Sequence, residues 1–249
     1  MVIYIESTQL YELNMFRILF VLDVFNRTVV HAQGGDRREY KPIHFSSRIC
    51  DSSDAIRIVD TVRPKEVYIA DLNLLQRIGK REKNFELIRE VSQKARTMVD
   101  AGITSFSETQ DILEIAPTVV LGTETASIDI IEEVATNYPG RAVVSIDKKY
   151  GRILTRDPSM PDDPLEIVKI LNGLDLRDIM ILDLDRVGTT SGVDSQFLSK
   201  IASISEHSVL LGGGVRNIED IETLEKIGLE GALVATALHN GSLPLEKVQ

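Results

Sequence analysis

Asp23 and Asp147 each close a short apolar run that leads into a polar loop. Paired carboxylates in different surroundings suit general acid–base chemistry, in which an ionised group takes a proton and a protonated one gives it. Lys148 and Lys149 follow Asp147 directly, so the sequence predicts that Asp147 stays ionised and is the worse acid of the pair. The plainer alternative is that both aspartates cap the next loop or pair with Lys or Arg. A desolvated Lys148 could instead act as a Schiff-base nucleophile, which would make the chain a lyase. A second kind of chemistry is written in Leu211-Gly212-Gly213-Gly214-Val215-Arg216-Asn217, an apolar run, three glycines and a helix start. Backbone amides without side chains approach a phosphate closely, and the following helix dipole favours the anion. Ala235 and Thr236 add small residues and one hydroxyl after the last apolar run. Gly122 and Thr123 stand at the corresponding place in the first half, where Thr123 and Thr125 suit a phosphate but Asp100 and Glu124 repel one. Asp183 ends another run, and Gly188 and Thr189 follow in a loop whose amides and hydroxyls fit an oxyanion or phosphate, or form an ordinary glycine-rich turn.

These residues need elements to hold them. Apolar runs at 16–23, 66–71, 96–100, 118–122, 142–147, 179–183, 208–212 and 232–235 are continuous rather than alternating, as parallel strands covered on both faces are. Helical patterns lie between them at 53–62, 84–94, 107–115, 127–137, 164–171, 194–204 and 217–227, with Ser127 and Asn217 as N-caps ahead of acids. Eight strands and seven intervening helices predict an α/β chain, a (β/α)8 TIM barrel, with a doubly wound open sheet as the competitor. Glu66–Asp71 lies over Asp178–Asp183, Val99–Ile103 over Leu211–Val215, and the run ending at Asp23 over that ending at Asp147. Two duplicated half-barrels explain this repetition. The chain then divides into an extension at 1–15 and one barrel at 16–249. The working face of such a barrel is the C-terminal end of its strands, which sets Asp23 and Asp147 across the mouth from each other.

The chain has 249 residues, 28 Lys and Arg against 38 Asp and Glu, and a formal charge of −10. That balance argues against a nucleic-acid or anionic-membrane partner. No apolar run reaches the ~20 residues of a membrane helix. The lone Cys50 fits a reducing cytoplasm, and the four histidines have no zinc-ligand spacing. No metal site and no nicotinamide or flavin fingerprint is expected. The expected partner is a phosphorylated small molecule; the oligomeric state is open.

The segments LDVFNRTVVHAQGGD (22–36), VYIADLN (67–73), VVLGTETA (119–126), VVSID (143–147), ILDLDRVGTTSG (181–192), LLGGGV (210–215) and ALVATAL (232–238) resemble the histidine-biosynthesis barrel family. That family comprises phosphoribosylformimino-aminoimidazole-carboxamide ribotide isomerase and the cyclase subunit of imidazole glycerol phosphate synthase. The resemblance is nearer the isomerase branch. It implies a half-barrel duplication that binds phosphoribosyl substrates and performs a cofactor-free, Amadori-type aldose-to-ketose isomerisation. Asp23 matches the first-strand acid/base aspartate, Asp147 the fifth-strand aspartate that assists it, and Gly212, Gly213 and Gly214 the phosphate loop. The chain departs from the family at Val187, where the isomerases carry an acid/base aspartate. It departs also at Leu182 (threonine), at Ala235-Thr236 (Gly-Arg), at Asp100-Ala101 (glycines) and at His31 (arginine). Valine exchanges no proton. The resemblance therefore implies an isomerase-like paralogue, diverged toward another phosphorylated substrate.

Overall fold

Each apolar run forms a parallel strand: β1 (Arg17–Phe25), β2 (Glu66–Asp71), β3 (Arg96–Asp100), β4 (Thr118–Gly122), β5 (Ala142–Lys149), β6 (Asp178–Asp183), β7 (Ser208–Gly212) and β8 (Gly231–Val234). The computed structural model describes residues 16–32, 40–189 and 191–249. The expected extension at 1–15 lies outside the described residues, as do Arg37, Arg38 and Thr190. Strands pair in chain order, and β1 pairs β2 on one side and β8 on the other, with Leu19 opposite Leu233. The ring of eight strands is thus closed on itself, which excludes the open-sheet alternative.

Helices α1 (Ala55–Val62), α2 (Phe85–Ser92), α3 (Phe106–Leu113), α4 (Ile128–Asn137), α5 (Pro164–Leu171), α6 (Ser195–Ile204) and α7 (Ile218–Lys226) connect the strands around the outside. Six of the seven are started by a side-chain oxygen: Asp54, Ser105, Ser127, Asp163, Asp194 and Asn217 each accept an amide hydrogen of the first turn. A cap of this kind stabilises a helix by ~1 kcal/mol. The first helix begins two residues later than its pattern predicts, because Asp54, not Ser53, supplies the cap. No helix of the described residues is long and apolar enough to cross a membrane.

Strand parity sorts the side chains. Outward-facing hydrophobic residues such as Phe20, Ile69, Val99, Leu121, Val144 and Ile181 meet the helices in the larger core. Inward-facing ones, Leu19, Tyr68, Met98, Val120, Val143, Met180, Leu210 and Leu233, fill the barrel itself. Burying each aliphatic contributes ~1.5–3 kcal/mol. Below this layer the barrel floor is ionic. Glu66 accepts from Arg17 at 2.8 and 3.1 Å and from Arg96 at 3.0 Å, while Arg17 also reaches Asp178 at 2.6 Å. Above it, β1 and β5 run on into hairpins: Asp23 pairs with Val30 of Thr28–His31, and Lys148 with Ile153 of Arg152–Ile153. The two aspartates therefore sit where the barrel wall becomes its rim.

Candidate active site

The inward row at the C-terminal ends of the strands opens into a cleft of about 1200 Å³, including the part open to solvent. Asp23 of β1, Tyr68 of β2, Asp100 of β3, Gly122 at the end of β4, Glu124 after it, and Asp147 and Lys149 of β5 line it from the first five strands. Gly188 and Thr189 after β6, Gly212 at the end of β7, Gly213 and Gly214 after it, and Ala235 and Thr236 after β8 line the rest. Asp23 and Asp147 stand four strands apart in a ring of eight, on opposite walls.

Asp147 is only 4% exposed. Ser145, two residues back and facing the same way, donates its hydroxyl hydrogen to Asp147 Oδ1 at 2.6 Å, and the Glu124 amide donates to Oδ2 at 3.1 Å. Burial, followed by the negative charge of Asp100, pushes the Asp147 carboxyl up to about 7; the hydrogen bonds from Ser145 and Glu124 oppose this only in part. The expectation that Lys148 and Lys149 hold Asp147 ionised is therefore overturned. Alternation along β5 turns Lys148 out of the barrel, where it pairs with Asp183 at 3.4 Å and lies 5.1 Å over the ring of Phe197. Lys149 belongs to the cleft lining, with its ammonium 5.4 Å over the Tyr150 ring. Asp147 thus keeps its proton to higher pH than an ordinary carboxyl.

Two other expected site residues lie away from the cleft. Thr123 is fully buried, and its hydroxyl accepts the Asp147 amide at 3.0 Å, so it braces the strand end. Asp183 faces the flank with Lys148 and with Arg186, which donates to it at 3.2 Å. Arg186 thereby pairs with Asp183 and not with its neighbour Asp185, which accepts from the Tyr150 amide. Thr236 stays in the cleft, with its hydroxyl 3.4 Å from His31 Nε2. Burial pulls the His31 pKa down, so the ring is neutral at neutral pH.

The glycines after β7 are demanded by packing as well as by any ligand. Gly213 and Gly214 have φ of +94° and +88°. A Cβ on Gly213 would lie 2.9 Å from the Asp183 carbonyl oxygen, and one on Gly214 would lie 2.6 Å from that of Gly192. The loops after β6 and β7 are pressed together here, and the Gly192 amide donates to the Gly214 carbonyl at 3.2 Å. Beside them Leu182, Leu184 and Val187 make an aliphatic wall.

Tyr68 is the participant that residue typing missed. It sits mid-strand in an apolar run, and parity makes it an inward residue. Its hydroxyl donates to Asp100 Oδ2 at 2.9 Å. Burial, followed by the charges of Asp100, Asp23 and Asp147, raises its pKa well above the ordinary tyrosine value, so it remains a donor. Among the described residues no group of three or more His, Cys, Asp or Glu side chains is placed to hold a metal ion.

The structure is a (β/α)8 barrel whose mouth is ringed by carboxylates of β1, β3 and β5 and by glycine-rich turns after β6 and β7. The chain belongs to the histidine biosynthesis protein family, whose model matches residues 17–244. It is 31% identical over 239 residues to an uncharacterised protein of Methanocaldococcus jannaschii, a match covering 93% of this chain and 97% of the relative. Other relatives are named 1-(5-phosphoribosyl)-5-((5-phosphoribosylamino)methylideneamino)imidazole-4-carboxamide isomerase. One from Prochlorococcus marinus is 27% identical over 240 residues, covering 93% of this chain and 91% of its own. One from Dehalococcoides mccartyi is 31% identical over 170 residues, covering 66% and 72%.

Proposed function

We propose that this chain is an isomerase-like enzyme that converts a phosphorylated sugar-amine from aldose to ketose through aspartate acid–base catalysis. The observation that carries this reading is Asp147, a carboxyl lifted to about 7 on one wall of a cleft whose facing wall holds Asp23. An Amadori-type rearrangement opens the sugar ring, which needs a proton on the ring oxygen, and then removes the proton from C2. A carboxyl that titrates near neutrality delivers the first proton and recovers one later; a facing carboxylate takes the second. The turns at 212–214 and 235–236 offer a phosphate backbone amides and the Thr236 hydroxyl at the other end of the substrate. The isomerase relatives named above, whose names describe a bis-phosphoribosyl compound, support this class of ligand.

The aliphatic wall of Leu182, Leu184 and Val187 favours a second reading, a paralogue acting on or binding another phosphorylated compound, because that wall supplies no side-chain proton or hydrogen bond. The lyase alternative loses its support, since Lys148 is outside the cleft. Titrating the protein with the isomerases' named substrate, while following both thermal stabilisation and isomerisation, separates the two readings. Turnover that Asp23→Asn abolishes, with stabilisation retained, supports the isomerase. Full activity in Asp23→Asn overturns the mechanism. Stabilisation without turnover moves the chain to the second reading, and no stabilisation by that compound or by ribose 5-phosphate removes the phosphate grip.

A further inference from the structure

We propose that Tyr68 and Asp100 are a proton-positioning pair: the Tyr68 hydroxyl and the Gly102 amide hold Asp100 as the carboxylate, and that negative charge keeps the proton of the carboxylate cluster on Asp147. The inference rests on the acid role given to Asp147 above and extends it to two further residues of the cleft.

The geometry assigns different partners to the two carboxyls. Both oxygens of Asp100 are met by donors, Oδ2 by the Tyr68 hydroxyl at 2.9 Å and Oδ1 by the Gly102 amide at 3.1 Å. Hydrogen bonds of this kind favour the charged form. Gly102 is placed to give its amide by a φ of +60°, with the Leu75 backbone 3.2 Å from where a Cβ would stand. Tyr68 is 5% exposed and Asp100 7%, so the pair lies in a low-dielectric interior where one carboxylate acts strongly on another. Asp147 also receives two hydrogen bonds, but Ser145 can turn its hydroxyl and accept from a protonated carboxyl instead, which a tyrosine committed to Asp100 does not do. Two carboxyls lining one dry site titrate as a coupled pair, and the one whose oxygens are held by committed donors keeps the charge.

Among the described residues, the ionisable side chains that line the cleft with Asp147 are Asp23 of β1, Tyr40, Tyr68 of β2, Asp100 of β3, Glu124 after β4 and Lys149 on β5 itself. Strands β6, β7 and β8 present Leu182, Gly212 and Leu233, none of which titrates. After burial, the Asp100 charge is the largest cause that raises Asp147, ahead of Glu124.

The test is a carbon-13 NMR titration of the side-chain carboxyls in the ligand-free protein, with Asp147 assigned by its loss in Asp147→Asn. In Asp100→Asn, which keeps the Tyr68 hydrogen bond, the Asp147 inflection is expected to fall by about one pH unit or more, and in Glu124→Gln by less. In Tyr68→Phe, Asp100 is expected to begin titrating in the range where Asp147 does. An Asp147 inflection unmoved in Asp100→Asn, a larger shift in Glu124→Gln, or an Asp100 signal that stays silent in Tyr68→Phe overturns the proposal. Tyr68→Phe stands on its own should Asp100→Asn fail to fold. The titration needs no substrate, so its outcome is separate from whether the chain proves to be an isomerase.

Discussion

A methyl group on Gly122 would lie 2.6 Å from Oδ2 of Asp147, so the end of β4 leaves room for that carboxylate and for nothing more. Gly122 does not have the left-handed backbone of Gly213 and Gly214. Its lack of a side chain serves the acid on the next strand.

Gly122→Ala is therefore expected to displace Asp147 from Ser145 and from the Glu124 amide, with a loss of ~10²–10⁴ in kcat, the range a misplaced acid costs. Folding should change little, because the site is next to a cavity that can take up the shift. Steady-state kinetics beside a melting curve checks this. Unchanged kcat would show that Asp147 does not need that position.

The burial of Asp147 costs stability when it is ionised. Below about pH 4 the folded and unfolded chains both hold this proton. Between there and about 7 the unfolded chain releases it while the folded chain keeps it, so stability falls as pH rises. Above that window the cost is at most ~4 kcal/mol for a carboxyl lifted so far. Asp147→Asn should accordingly raise Tm at pH 8 more than at pH 4. Equal changes at the two pH values would contradict this.

At the barrel floor the sign is reversed. Burial alone would raise the Glu66 carboxyl, but hydrogen bonds from Arg17 and the charges of Arg17, Arg96 and Arg177 together outweigh it and hold the pKa below the usual value. Its contribution is present above the ordinary glutamate range and is lost as pH falls through the depressed pKa. Glu66→Ala leaves three guanidinium groups around a vacated acid and should cost ~3–5 kcal/mol at pH 7, the penalty for breaking a buried ion pair. Chemical denaturation at pH 7 and at pH 3 tests this, with a much smaller difference expected at pH 3.

Lys148→Met should leave turnover unchanged and remove only two outward contacts, the pair with Asp183 and the cation–π contact with Phe197, each worth about 1 kcal/mol or less. Borohydride reduction in the presence of substrate is expected to label neither protein. Covalent labelling at Lys148 in the parent chain would restore the lyase reading.

The continuous apolar runs were enough to establish eight buried parallel strands, and the Ser and Asn caps to place helices between them, because burial on both faces and unsatisfied helix ends leave local marks in any sequence. The placement of Asp23 and Asp147 near the C-terminal ends of their strands was legible for the same reason, although both strands run two residues further into hairpins. The loop after β7 was legible too, since Gly213 and Gly214 take backbone conformations and close approaches that only glycine accepts. Which aspartate carries the proton was not legible. The lysines next to Asp147 in the chain pointed to an ionised carboxylate, yet strand alternation turns Lys148 away, and the charge that matters comes from Asp100, two strands distant. Thr123 and Asp183 had suitable side chains for a ligand but face the strand end and the flank. Tyr68 carried no signal at all, since an inward aromatic in an apolar strand looks like core. Local sequence determines which elements form and where they end. Closure of the barrel brings distant strands to one point and removes the water between them, and that desolvated convergence decides where the proton sits.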